Sequence, residues 1–280
     1  MCYFIKTENI QDYQRYLLRE ECSSGTIKKY VRDVRGFYSW LAGREADKEH
    51  ASAWKEFLVE SGYAPVTINS MLSAINRFFC FMGWEECRVK FLHIQRKTFR
   101  DSSRELTQCE YKKLVQTAEK SGKARLALLI ETICGTGIRV SEVKYITVEA
   151  ARKGRADISL KGKIRTILLP HKLCRKLLQY AKKNRYTAGE IFITKNGNGL
   201  LRGQIWREMK DLCDDAGVEE SKVFPHNLRH VFATVFYGTC KDIVKLADVL
   251  GHSSIETTRI YLISTGKEHI NQLERMGLIS

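Results

Sequence analysis

Apolar residues in this chain recur at steps of three and four, and that spacing commits most of it to helix. Between Thr26 and Leu41 they fall at Ile27, Tyr30, Val31, Val34, Phe37, Tyr38 and Leu41, on one helical face, while Lys28, Lys29, Arg32 and Arg35 take the others. A second helix is predicted over about Ala51 to Ser61, ending at Gly62. A third begins at Pro65, whose fixed φ suits a first helical turn, and carries Ile68, Met71, Leu72, Ile75, Phe78 and Phe79 at helical spacing before Met82-Gly83-Trp84. Residues 1–95 therefore read as a small all-helical bundle.

The stretch from His93 to Arg104 is polar and basic and has no apolar period. It is read as a linker, placed over residues 96–104, with an ordinary surface loop as the alternative. A new helix is expected after Thr107, which with Glu110 forms a capping-box pattern. Ala124 to Cys134 is nearly all apolar, so that helix should be buried, and Gly135-Thr136-Gly137 should end it. The period then changes. Ala156 to Leu160 and Thr166 to Leu169 look like two strands joined by a basic turn, Lys161-Gly162-Lys163-Ile164-Arg165. Helical patterns return from Lys172. The expected architecture is mainly α with one small β-hairpin: a helical N-terminal domain over 1–95 and an α-rich second domain over 105–280.

Charge narrows the partners. Lys and Arg number 47 against 32 Asp and Glu, a formal net charge of +15 in 280 residues. Such a surplus suits a phosphate backbone or an anionic membrane, and a merely solvated basic surface competes with both. No apolar run reaches the ~18 residues of a spanning helix. The N-terminus, Met1 to Lys6, lacks the charged-then-apolar order of a secretory signal. Nine scattered cysteines without a C-x-x-C pair point to reduced thiols in a cytoplasmic protein, not to a disulfide framework or a zinc site.

Four short segments carry chemistry. In Gly135-Thr-Gly-Ile-Arg-Val-Ser-Glu142 a glycine-flanked turn sets Arg139 at the mouth of a helix, where its paired donors suit phosphate oxygens. Alone, such an arginine is usually just a surface residue. The turn Lys161 to Arg165 presents three cations at a hairpin tip, able to enter a groove or simply to face solvent. Nothing matches a Walker-type phosphate loop, so ATP is not implied. In Pro225-His-Asn-Leu-Arg-His230, His226 and Arg229 share a helical face and pair a proton carrier with a phosphate ligand. His226 and His230 have zinc-ligand spacing, but Asn227 stands where a metalloprotease helix needs Glu, and His230 is read as a core histidine. Last, Leu250-Gly-His252 is followed nine residues later by Tyr261, with Ser253 read as the cap of the intervening helix. A lone tyrosine at such a place is usually packing.

Taken in this order, the segments resemble the tyrosine recombinase, or phage integrase, family over roughly residues 105–280, with the helical first part more loosely similar to that family's core-binding domain. The resemblance implies that Arg139 and Arg229 bind the scissile phosphate, Lys161 is the hairpin lysine that protonates the leaving 5′ oxygen, and His226 assists proton transfer. His252 would bond a phosphate oxygen, and Tyr261 would attack to form a 3′-phosphotyrosyl link. Lys163, two residues on, is the alternative lysine. The implied chemistry needs no cofactor and no metal. The implied partners are double-stranded DNA, further copies of the chain in a tetrameric synapse, and an accessory excision factor, with no membrane. Integration, excision and dimer resolution all remain open. Ile270, Leu273 and Met276 suggest a final helix that either docks on a neighbouring subunit or packs on its own domain. A type IB topoisomerase and an inactive DNA-binding protein are the competing readings. The separate N-terminal bundle argues against the first, and the complete set of candidate residues against the second.

Overall fold

In the computed structural model, which describes residues 3–94, 102–160, 163–262 and 274–276, the chain divides into two units, Met1–Arg96 and Lys97–Ser280. The first unit opens with α1, Thr7–Arg19, which the sequence reading did not anticipate. Its buried positions are only Ile10, Tyr13 and Leu17, set among Gln, Asp and Arg, so its apolar stripe is thin. Next is α2, Ser24–Leu41, beginning three residues before its first periodic position, Ile27, because Ser23 accepts the Thr26 N–H at 3.3 Å. Then comes α3, Lys48–Glu60, capped by Asp47, which accepts the His50 N–H at 2.6 Å. Pro65 starts α4, Pro65–Met82, and Gly83 ends it at φ 73°. The aromatic core includes Phe37 edge-on to Phe79 at 5.9 Å and a fully buried Tyr13 whose hydroxyl donates to the Ala74 carbonyl at 3.4 Å.

Two asparagines on α4 hold the chain that leaves this bundle. Asn76 donates to the Val89 carbonyl at 2.9 Å and accepts the Val89 N–H at 3.0 Å. Seven residues earlier Asn69 does the same to Leu92, at 2.9 and 2.8 Å. Each side-chain amide acts as one residue of a β-ladder, so Val89 to Leu92 lies as a strand substitute along the helix.

In the second unit the predicted capping box forms at α5, Gln108–Lys120: Thr107 Oγ1 accepts the Glu110 N–H at 3.1 Å and Glu110 accepts the Thr107 N–H at 2.8 Å. The apolar helix α6, Ala124–Thr136, is buried as expected and ends at Gly137, φ 64°. A 3₁₀ turn, Val140–Tyr145, leads to α7, Val148–Lys153. The hairpin follows as β1, Arg155–Leu160, and β2, Lys163–Leu168, antiparallel with Ile158 opposite Arg165 and Leu160 opposite Lys163. Beyond it run α8, His171–Lys183; α9, Arg202–Lys210; and α10, Cys213–Ala216. Among the described residues there follow α11, Pro225–Cys240; α12, Ile243–Leu250; and α13, Ile255–Arg259. No helix among the described residues is long and apolar enough to cross a membrane.

Two local expectations are corrected. The hairpin tip is shorter than the five-residue basic turn read from sequence: β2 already starts at Lys163, and Arg165 is a strand residue. Strand alternation puts Arg165 on the same face as buried Ile167, leaving Thr166 and Leu168 outward. The cap of α13 is Ser254, whose hydroxyl accepts the Glu256 N–H, and not Ser253. Lys161, residues 96–101 of the expected linker, and the expected final helix around Ile270 and Leu273 lie outside the described residues. Ser102–Arg104 forms a 3₁₀ turn whose Arg104 carbonyl accepts from Asn227 at 2.7 Å.

Candidate active site

The site is organised by one buried guanidinium. Arg229, the fifth residue of α11, is 2% exposed and lies where the end of α6, the end of α12 and the 3₁₀ turn Ile260–Leu262 meet. Its Nη1 donates to the Gly137 carbonyl. Its Nη2 donates to the Leu250 carbonyl at 2.8 Å and to His252 Nε2 at 2.9 Å. It also hydrogen-bonds the Tyr261 side chain. Burial, and next the cation of Arg139, bring its pKa down to about 10, while the Tyr261 bond opposes the fall; the group stays charged at neutral pH. Gly137 is required here on two counts. Its φ of +64° is left-handed, and a Cβ would stand 2.4 Å from Phe232 Cδ1 and 3.0 Å from Leu250 Cδ2.

His252 follows the left-handed Gly251 that ends α12. Since Arg229 can only donate, His252 Nε2 must accept, so the ring proton sits on Nδ1 and is donated to Thr258 Oγ1 at 2.9 Å. Burial first, then the guanidinium groups of Arg229, Arg139 and Arg165, push the His252 pKa down to about 4, so the ring is neutral. His226, one turn above Arg229, is more open, yet desolvation and the cations of Arg229, Arg139 and Arg202 lower its pKa as well.

Tyr261 is 5% exposed and packed by imidazoles. His252 stacks on it at 5.9 Å and 8°, His226 lies tilted at 5.9 Å, and His230 meets it edge-on at 5.2 Å. His230 is half-buried and also pairs through Nδ1 with Thr234 Oγ1 at 3.3 Å. Arg139 stands across the cleft as the residue before the 3₁₀ turn. Its backbone N–H and Nη1 both bond Glu142, at 2.7 and 3.1 Å, and its side chain is 43% exposed. A cavity of about 540 Å³ is lined by Arg139, Arg202, Trp206, His226 and Arg229.

The structure thus brings Arg139, His226, Arg229, His252 and Tyr261 into one cleft; it does not describe Lys161. Across this second unit, residues 104–268 match the phage integrase family, and residues 10–86 match its N-terminal SAM-like domain. The chain belongs to the phage integrase family. As a member it is an enzyme of the tyrosine recombinase class. It is 29% identical over 282 residues to the tyrosine recombinase XerA of Pyrococcus furiosus, covering 98% of this chain and 96% of that one. It is 25% identical to the tyrosine recombinase XerD of Vibrio cholerae, covering 90% and 89%. Its fold matches a lambda integrase fragment solved as a dimer bound to a core site, with TM-score 0.72, 16% identity, and coverage of 91% of this chain and 94% of that one.

In this recombinase two further residues belong to the cleft that the sequence reading did not single out. Glu142 is a 2%-exposed carboxylate, and its signal was the three-residue step after Arg139 that lets an acid cap the turn. Thr258 is fully buried and accepts the Nδ1 proton of His252. Its spacing of six from His252 matches no simple pattern.

Proposed function

We propose that this chain cuts and rejoins double-stranded DNA at specific sites through a 3′-phosphotyrosyl intermediate, with Tyr261 as the nucleophile. The observation that carries the reading is Tyr261 sharing Arg229 with His252 while Arg139 faces the same cavity. A phosphate entering there would take over donors of Arg229 now given to Tyr261 and His252. The phenol oxygen then attacks phosphorus. The bond from phosphorus to the 5′ oxygen breaks as the tyrosyl–phosphorus bond forms, so the energy of the diester is kept for rejoining. Arg139 and Arg229 balance the charge on the non-bridging oxygens. Neutral His226, held in its basic form by its surroundings, accepts the phenolic proton. Lys161, or Lys163 in its place, gives a proton to the leaving 5′ oxygen. His252 reaches a phosphate oxygen as a donor only after its Nε2 bond with Arg229 is exchanged for a proton.

The N-terminal bundle, residues 1–95, would grip DNA with the basic faces of its helices, and the domain over 105–280 would carry catalysis, joined through 96–104. Relatives solved on DNA, among them a recombinase XerH pre-cleavage complex, support DNA as the partner. Two pairs of subunits on two sites would form the synapse, in the cytoplasm, with an accessory factor setting direction. The test is Tyr261→Phe on a nicked suicide substrate. The variant should bind DNA as the wild type does and form no covalent adduct; adduct at wild-type yield sinks the assignment.

A further inference from the structure

Arg165 belongs to neither the phosphate-facing group nor the solvated hairpin tip, and its contacts are unusual for a strand residue. Its Nη1 lies 3.2 Å from each oxygen of Glu142. Its Nη2 donates to the Val249 carbonyl, in the last turn of α12, at 2.7 Å. Its Nε is buried with no partner. Gly251 provides the clearance for it, since a Cβ there would stand 2.4 Å from Arg165 Cδ and 2.7 Å from its Nε. One guanidinium therefore joins the hairpin to the turn carrying Arg139 and to the turn carrying His252.

The arrangement poses a competition for one carboxylate. Glu142 already accepts the Arg139 backbone N–H and holds Arg139 through Nη1 alone. Guanidinium and carboxylate prefer to meet as two parallel hydrogen bonds. Were Glu142 unclaimed, the pair with Arg139 would close into that fork, and Arg139 would be drawn off the cavity and neutralised. Arg165 is the better-placed competitor, with a side chain 12% exposed against 43% for Arg139, because a buried cation needs the carboxylate more. An orphaned buried Nε–H is destabilising, so this geometry is not the one that stability alone would choose.

We infer that Arg165 is a positioning residue: by holding Glu142 and the Val249 carbonyl at once, it keeps Arg139 open for the substrate phosphate and fixes the His252 turn beside it. The inference rests on the reading of Arg139 as a phosphate ligand, and the experiment separates the two. Arg165→Gln, Arg165→Lys and Arg139→Ala are compared in single-turnover cleavage of two suicide substrates. One has the normal scissile phosphodiester. The other has a methylphosphonate there, which lacks the negative oxygen that Arg139 would neutralise.

On the phosphodiester, Arg165→Gln should be slower by about a hundredfold with DNA affinity unchanged, the scale expected when a charge-stabilising donor is misplaced. On the methylphosphonate the deficit should shrink to within about fivefold, because the uncharged linkage needs little of that donor. Arg165→Lys keeps a cation on Glu142 and should recover at least about tenfold of the loss. An equal deficit on both substrates, or wild-type cleavage by Arg165→Gln, overturns the inference. If Arg165→Gln does not fold, Arg165→Lys carries the same comparison: its smaller deficit must also shrink on the methylphosphonate, and a deficit equal on both refutes the role. If Arg139→Ala is no better on the neutral linkage, the phosphate-ligand reading fails independently of Arg165.

Discussion

Acid should loosen this protein through His252, and the size of the effect follows from its surroundings. The ring has a folded pKa near 4 against an ordinary 6.5, first because of burial and then because of nearby guanidinium groups. Between those values the unfolded chain binds a proton on this ring and the folded chain does not. Stability therefore rises with pH across that window, is fully present above the unfolded pKa, and is lost as pH falls through it toward the folded value. Moving from about pH 7 to about pH 5 should remove roughly 1 kcal/mol through this group alone, because the partly exposed ring is screened by solvent. His226, shifted the same way, adds to the loss with the same sign. Urea unfolding of the wild type and of His252→Gln at the two pH values isolates the His252 share. The glutamine variant should lose about 1 kcal/mol less than the wild type on acidification. A variant whose stability falls by as much as the wild type's would refute the claim that His252 is held neutral by its contacts.

Arg229→Lys should cut covalent-complex formation by about a hundredfold or more, and Arg139→Lys by somewhat less, since an ammonium lacks the planar fork and leaves Leu250 and Gly137 carbonyls without their donor in the first case. Wild-type rates in either variant would argue against fork-like phosphate binding. Lys161→Ala should slow cleavage of ordinary DNA yet react well on a substrate with a 5′-phosphorothiolate, whose sulfur leaves without a proton. Rescue of Lys163→Ala in its place moves the role two residues along. Gly137→Ala should destabilise the chain by about 3 kcal/mol, from the left-handed φ and the crowding against Phe232 and Leu250 together. Chemical denaturation reads this directly; a loss of only about 1–2 kcal/mol would show that the ring of Phe232 moves aside and leaves the backbone cost alone, and a smaller loss would refute both contributions.

How far the sequence could be read depended on the range of the interaction. α2 and α4 are plain from their long apolar stripes and α6 from its nearly continuous apolar run, whereas α1 buries three residues among Gln, Asp and Arg and has no such signal. Arg139, His226, Arg229, His252 and Tyr261 stood out by local motif, and they meet in space. The partners that orient them did not stand out. Arg165 reaches Glu142 across 23 residues and Val249 across 84, and no local pattern encodes such a pairing. Its inward aim was legible only in the alternation with Ile167 and Leu169, which the cluster of positive charge around it obscured.

The amide pairs of Asn69 and Asn76 have a practical consequence for anyone exchanging modules of this chain. The N-terminal bundle does not end where α4 ends, at Met82, nor at the short turn Glu85–Cys87, because Val89 and Leu92 are bonded back onto α4 through both backbone groups of each. A graft junction cut before Val89 would strand both amides, one of them 7% exposed, and forfeit four hydrogen bonds of about 1 kcal/mol each. A chimera that carries this N-terminal bundle onto a foreign second unit should therefore keep this segment through Leu92, and the splice belongs in the basic stretch that follows.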